Sequence, residues 1–163
     1  YYDGCVPSRS EMTDEDRQVI SELKFFPPKI AKSIEAYRYR EALMEVMNLA
    51  RLGNKYLADE EPWKLVKTDE VRTKTIMNIA LQIAANLSVL SEPFMPFTAQ
   101  KLATMLGLKC LTWEDAGSDA LIEEGSKIES GQLLFRKIED PEIEAQLKKL
   151  ENSKVKNQMV NPQ

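Results

Sequence analysis

Residues 71–94 read VRTKTIMNIALQIAANLSVLSEPF, a segment in which apolar side chains would occupy almost every face of a helix. A helix without a polar face is favoured only where other helices surround it. We therefore predict that this segment lies at the centre of a helical bundle. Thr68 precedes it as the predicted N-cap, with Asp69 and Glu70 in the first turn.

Two helices are predicted before this central helix. Thr13 begins the first with a carboxylate form of the capping box, because Asp16 follows three residues later. The proline pair at 27–28 ends that helix and opens a second, which is predicted to run as one long amphipathic helix over residues 29–60. Gly53 lies late in this helix, and it either ends the helix or permits close packing.

The sequence after the central helix has a weaker pattern. Residues 97–108 predict a shorter helix, with Gly107 as its C-cap. Residues 111–132 are rich in Gly, Ser and acidic residues, which is typical of a long ordered loop. LLFRKI at residues 133–138 predicts a short strand, and residues 141–154 predict a last helix with Pro at its first position.

These patterns together predict an all-α fold. The helical bundle is assigned to residues 1–109, within which residues 1–12 are predicted to be a loop or the tail of another element. An irregular C-terminal extension with the short strand and the last helix is assigned to residues 110–152, and a linker or tail to residues 153–163.

Composition excludes several kinds of chemistry. The chain has 163 residues, 43% of them apolar, and no histidine, so a Ser-His-Asp or Cys-His nucleophile and an HExxH zinc helix are excluded. Cys5 and Cys110 lack the CxxC spacing of a zinc or redox site and suit a reducing cytoplasm. The six glycines are too scattered for a nucleotide-binding loop, and no apolar run reaches the ~20 residues of a membrane span.

The charge distribution permits a local basic surface. A net charge of -4 argues against a protein that coats nucleic acid by bulk electrostatics. Residues 63–109, however, carry six basic and only three acidic side chains. Ordinary solvated helix faces remain the other interpretation of this pattern.

Trp63 is the candidate binding residue. It follows Pro62 in DEEPWKLVK, in a predicted loop between two long helices, and the cations Lys64, Lys67 and Arg72 follow it in the sequence. An indole on a rigid loop beside cations suits a single-stranded base, because stacking contributes ~1–3 kcal/mol per base. The alternative is that the indole fills the end of the bundle.

Three motifs together resemble the C-terminal anticodon-binding region of the methionyl-tRNA synthetase family. They are ARLGNKYLADEEPWKL at 50–65, NLSVLSEPFMPFTAQKLATMLGL at 86–108 and LLFRKIED at 133–140. The Pro-Phe-Met-Pro turn is shared more loosely with the synthetases for isoleucine, valine, leucine and cysteine. The spacing from Asn-Lys-Tyr to Pro-Trp is closer to the methionine enzyme.

The resemblance implies a helical bundle that grips the anticodon stem and loop of methionine tRNA. The family's stacking tryptophan corresponds to Trp63, which would lie on a base of the CAU anticodon with Pro62 beside it. Asn54 and Lys55 match family positions that support this loop, and Lys64 completes the expected anticodon site.

The resemblance also implies a larger enzyme. The family's catalytic signatures are missing here, so this chain is expected to hold no catalytic residue, metal or cofactor, and ATP with Mg would act in the catalytic domain of the same polypeptide. A cytoplasmic location and tRNA as partner follow, with no membrane contact. Some family members continue into a separate tRNA-binding domain that forms a homodimer.

Two alternatives stay open at this point. The chain could be the equivalent domain of another class I synthetase, for isoleucine, valine, leucine or cysteine. From a different class, it could be a non-catalytic helical module that binds a partner helix in an apolar groove.

Overall fold

The computed structural model describes residues 2–109 and 111–160, with side-chain surroundings up to residue 150. Short 3-10 turns cover Tyr2–Gly4 and Trp113–Asp115. The α-helices are α1 (Asp14–Leu23), α2 (Phe26–Glu35), α3 (Tyr39–Glu60), α4 (Pro62–Leu65), α5 (Glu70–Leu90), α6 (Pro96–Met105) and α7 (Asp140–Val160). The predicted all-α class is thereby confirmed. No helix in the described part of the chain is both long and apolar enough to cross a bilayer.

The central position of α5 confirms the prediction made from its sequence. Helices α1, α3, α4 and α6 all pack against it. Ile76, Ile79 and Ile83 are almost completely buried, because neighbouring helices cover most of the surface of this helix. Its N-cap is Asp69, not the predicted Thr68, since the Asp69 carboxylate accepts a 2.9 Å hydrogen bond from the Arg72 backbone N–H.

The predicted start of α1 is also confirmed. The Thr13 hydroxyl accepts from the Asp16 N–H at 3.3 Å, and the Asp16 carboxylate accepts from the Thr13 N–H at 3.0 Å. This is the reciprocal capping box that the spacing predicts. It turns Asp16 inward, where it is fully buried.

The prediction of one helix over residues 29–60 is wrong, because the chain reverses between α2 and α3. Tyr37 adopts a left-handed conformation with φ 58°. The Arg38 N–H bonds the Ser33 carbonyl at 2.8 Å and the Tyr37 N–H bonds the Ile34 carbonyl at 2.9 Å, a C-cap usually built on glycine. The break lets α2 fold back and pack on α3.

Gly53 lies inside α3 and is there for close packing, which decides between the two predicted roles. A Cβ atom at this position would lie 3.1 Å from Ile83 Cγ2 of α5, inside normal van der Waals separation. Gly107 follows the end of α6 and has a left-handed φ of +67°, as predicted for a C-cap glycine.

Two segments outside the long helices, one near the start of the chain and one after α6, pair with each other. Val6 is 2% exposed, and its backbone pairs with Gly125 and Ser126 at 2.9 Å. Residues 6–12 have no helix or strand, so they form the predicted loop, and Val6 attaches this loop to the rest of the unit. The compact unit extends over Tyr1–Gln132.

The remaining residues, Leu133–Gln163, form a second unit. The strand predicted at 133–138 is wrong, since these residues have no strand pairing. The last helix, α7, is confirmed, but it continues to Val160 through most of the predicted linker. Arg136 makes two hydrogen bonds with Glu142, at 2.5 and 2.7 Å, inside this unit.

Candidate functional site

The connection between α3 and α5 is a sharp corner followed by one short helix, in place of the predicted loop. Glu61 has left-handed backbone angles, φ 44° and ψ 53°, so the chain changes direction directly after α3. Pro62 then begins α4 and is buried. The proline ring fixes φ of Pro62, so the backbone is stiff directly before Trp63.

The indole of Trp63 faces outward from this corner. Its exposed fraction is 60%, so it does not fill the end of the bundle, and that alternative is wrong. A large aromatic side chain this exposed on a stiff backbone is available for contact with a ligand.

A groove of about 440 Å³ lies beside the indole. Pro62, Trp63 and Val66 form one wall, and Met77 and Leu81 of α5 contribute apolar side chains from the central helix. Thr73 of α5 also lines the groove, and the other lining residues come from the ends of the unit in sequence, namely Tyr2, Gly4, Cys5, Pro7 and Ile128. The groove is thus open, apolar and edged by an aromatic ring, which suits a flat aromatic group such as a nucleobase.

A buried polar cluster lies behind the corner. Arg72 binds both carboxylate oxygens of Asp16 through its two terminal nitrogens, with Nη2 2.9 Å from Oδ1. The same Nη2 lies 2.7 Å from Glu60 Oε2, at the last residue of α3. The Tyr56 hydroxyl donates to Asp16 Oδ1 at 2.6 Å. One guanidinium therefore joins α1, α3 and α5.

The charges of this cluster stabilise one another. Burial alone would raise the pKa of Asp16, but hydrogen bonds from Arg72, Tyr56 and Thr13 outweigh it and hold that pKa below its usual value. The hydrogen bonds to Asp16 and Glu60 raise the pKa of Arg72 despite its partial burial. Burial and the bond to Asp16 raise the pKa of Tyr56, so its hydroxyl stays protonated.

The predicted site residues are only partly brought together. Pro62 and Trp63 line the groove, whereas Lys64, Asn54 and Lys55 do not. Lys64 is exposed and its ammonium lies 2.7 Å from a Glu61 carboxylate oxygen. Asn54 and Lys55 are exposed on α3, before the corner.

Sequence reasoning missed the residues behind and beside the indole. Asp16 was recognised only as a cap and Arg72 only as one more positive charge, and neither Tyr56 nor Met77 carried a local signal for its role. A buried acidic residue in a capping box is a hint that a cation must approach it from elsewhere. No cluster of three or more potential metal ligands is found among the side chains that the structure describes.

Comparison with known proteins gives a family for this fold. A family model described as the anticodon binding domain of methionyl tRNA ligase matches residues 6–154. This match sets aside the alternative of a synthetase for another amino acid.

Curated relatives cover nearly the whole chain. The methionine–tRNA ligase of Cytophaga hutchinsonii is 56% identical over 161 residues, which are 99% of this chain and 23% of that protein. The methionine–tRNA ligase of Christiangramia forsetii is 55% identical over 166 residues, which are 98% of this chain and 24% of that protein. The chain thus spans about a quarter of the length of these relatives.

Solved structures show the same fold. The free form of Mycobacterium tuberculosis methionyl-tRNA synthetase matches with a TM-score of 0.76 and 21% identity, over 85% of this chain and 29% of that one. The same synthetase in complex with methionyl-adenylate matches with a TM-score of 0.74 and 22% identity, over 83% of this chain and 27% of that one. The chain accordingly belongs to the family of anticodon-binding domains of methionyl-tRNA ligase.

Proposed function

We propose that this chain recognises the CAU anticodon of methionine tRNA through stacking of one anticodon base on Trp63. The observation that carries the proposal is the 60% exposed indole at the edge of the apolar groove. A base lying on this ring would bury apolar surface on both partners and gain ~1–3 kcal/mol. The stiff corner at Pro62 reduces the entropy lost when the ring is fixed by the base.

The other site residues have supporting roles in this proposal. Lys64 supplies positive charge to a phosphate next to the stacked base, exchanging its surface contact with Glu61 for that phosphate. Asn54 and Lys55 support the end of α3 and add polar surface on the side from which the RNA approaches. Pro62 sets the direction in which the indole points.

The proposed role belongs to a larger ligase. In it, this domain would select the tRNA, and a catalytic domain elsewhere in the polypeptide would attach methionine in an ATP-dependent reaction with Mg²⁺. The relatives named methionine–tRNA ligase are about four times as long as this chain, which leaves room for such a domain. The proposal places the enzyme in the cytoplasm, and a homodimer would form through a domain outside these residues.

The proposal is tested by titrating a Trp113→Phe variant, in which Trp63 is the remaining indole, with a 17-nucleotide anticodon stem-loop. We expect quenching of the indole by the CAU stem-loop and weaker quenching by a stem-loop with a changed anticodon. Trp63→Ala, followed through labelled RNA, should bind more weakly while keeping the unfolding midpoint. Equal affinities of parent and Trp63→Ala would refute stacking, and binding of a helical peptide without RNA binding would favour the interaction-module alternative.

A further inference from the structure

The end of α3 is tied to the central helix by one ion pair. Arg72 Nη2 lies 2.7 Å from Glu60 Oε2, and the two side chains are only 15% and 18% exposed. On its other side the guanidinium binds the fully buried Asp16. Ion pairs this shielded from water are screened far less than surface pairs, and Arg holds a fixed geometry through its planar fork.

The position of this ion pair in the chain connects it to the indole. Glu60 is the last residue of α3, Glu61 makes the left-handed corner, and Trp63 follows three residues after Glu60. Met77, which lies with Trp63 on the groove, is on α5 a little more than one turn after Arg72. The distance between the end of α3 and α5 therefore sets where the indole lies over the groove.

The corner also has apolar contacts, since α4 packs on α5, but its own polar contacts are weaker than the Glu60–Arg72 pair. Lys64 and Glu61 form an ion pair between side chains that are 65% and 41% exposed. Exposed pairs of this kind contribute little to stability and are screened by salt. Pro62 stiffens the backbone within the corner but does not attach it to α5 through a polar contact, since it has no N–H.

We infer that Glu60 and Arg72 are positioning residues, which fix Trp63 for base stacking through the Asp16–Arg72–Glu60 cluster without contacting RNA themselves. This inference rests on the proposed function. The cluster holds the corner in the free protein in the conformation that binds the base, so that less ordering is needed on binding. Loss of the Glu60 contact leaves Arg72 and Tyr56 bonded to Asp16, and it removes the polar contact of the last residue of α3 with α5.

The charge of Glu60 gives the test a definite sign. Glu60→Gln removes a negative charge close to the RNA, and by Coulomb's law alone this strengthens binding to a polyanion. A positioning role predicts the opposite, namely weaker binding. Glu70→Gln is the matched control, because Glu70 is also a carboxylate near the start of α5, paired at 2.7 Å with Lys74 and 63% exposed.

The experiment uses the whole chain in the Trp113→Phe background. Time-resolved fluorescence anisotropy measures the motion of Trp63 in the free protein, and labelled CAU stem-loop measures the Kd. We expect Glu60→Gln to increase the amplitude of fast indole motion and to raise the Kd by about 2- to 10-fold, the cost of ordering one side chain on binding. Glu70→Gln should leave the anisotropy decay unchanged, with an equal or lower Kd.

Arg72→Lys is a second variant, which keeps the charge but loses the fork, and it should also increase indole motion. Unchanged anisotropy in both variants, or a Kd for Glu60→Gln at or below that of the parent, would overturn the inference.

Failure of the proposed function itself is recognised separately. In that case Trp63→Ala binds the stem-loop as tightly as the parent, while the anisotropy of Glu60→Gln still shows whether the cluster immobilises the indole.

Discussion

Tyr56 and Asp16 are joined by a hydrogen bond of 2.6 Å, in which the Tyr56 hydroxyl donates to Oδ1. Forty positions separate the two residues, and both are almost completely buried. The carboxylate that caps α1 is therefore also the anchor of α3, one turn before the corner that carries Trp63. The residue that caps α1 thus also links α1 to the end of α3, next to the proposed binding surface.

Tyr56→Phe should destabilise the fold measurably. The substitution removes one hydrogen bond to a buried carboxylate, and bonds to charged groups contribute about 1.5–3 kcal/mol. We expect the free energy of unfolding in urea to fall by about this amount. Tyr39→Phe is the control, because Tyr39 is 55% exposed, and its effect should stay within about 0.5 kcal/mol. Equal losses for the two variants would contradict the role of the Tyr56 hydroxyl.

Asp16 should make the stability of the chain fall in acid. Its pKa is lowered in the folded state by Arg72, Tyr56 and Thr13, so the unfolded chain takes up a proton first as the pH falls. The stabilisation by Asp16 is complete above the unfolded pKa of about 4 and is lost as the pH decreases through the folded value.

The measurement for Asp16 is the unfolding midpoint between about pH 7 and pH 3. Asp16→Asn should lower stability at neutral pH by about 3–5 kcal/mol, because it leaves the buried charge of Arg72 without its main partner. The variant should also lose stability less steeply on acidification than the parent does. Parallel curves for the two proteins would show that other carboxylates cause the acid response.

The helices that could be predicted are those whose signal is local. Apolar composition around the whole helix identified α5, and the spacing of Thr13 and Asp16 identified the start of α1. The break between α2 and α3 could not be predicted, because Tyr37 takes a left-handed conformation without the glycine that usually marks it. Packing of α2 on α3 outweighs the ~1–2 kcal/mol cost of that conformation.

The candidate site divides in the same way. Pro62 and Trp63 could be predicted from the sequence, because the stiff backbone of Pro62 and the aromatic ring of Trp63 are properties of two adjacent residues. The groove beside them could not, since its walls include Tyr2 and Ile128, which come from distant parts of the chain. The partner of Arg72 was hidden for the same reason, as 56 positions separate it from Asp16.

Two buried amides on α5 hold the irregular segment 111–132. Gln82 donates to the Ile122 carbonyl at 2.8 Å and accepts from the Leu121 N–H at 2.7 Å. Asn86 donates to the Ser118 carbonyl at 2.8 Å and accepts from the Gly117 N–H at 2.6 Å. These polar side chains explain why a largely irregular segment packs stably on an apolar helix.

Gln82→Met should loosen this segment while leaving the helices formed. The substitution keeps the size of the side chain but leaves buried backbone groups of Leu121 and Ile122 without partners, at a cost of about 1–3 kcal/mol for each such group. We expect faster hydrogen exchange at the amides of Leu121 and Ile122. Gln100→Met on α6 is the control, because Gln100 is exposed. Unchanged exchange at both amides in Gln82→Met would contradict the bracing role of this side chain.

Lys64 and Trp63 should affect RNA binding in different ways. A lysine that contacts a phosphate releases counterions, so Lys64→Gln should reduce the slope of log Kd against log salt by about 0.7 for single-stranded RNA. Its effect on the Kd should be equal for the CAU stem-loop and for one with a changed anticodon, because phosphates carry no base identity. Trp63→Ala should keep the slope and reduce the preference for CAU.

The salt titration uses labelled stem-loops between about 50 and 200 mM salt. Lys29→Gln on α2 is a closely matched control, because Lys29 is 63% exposed and paired with Glu45, much as Lys64 is 65% exposed and paired with Glu61. Both substitutions remove the same charge from the chain, so a difference in slope between them can come only from position. Equal slopes of log Kd against log salt for Lys64→Gln and Lys29→Gln would show that the phosphates do not lie beside α4. The assignment of Lys64 to the site would then be wrong.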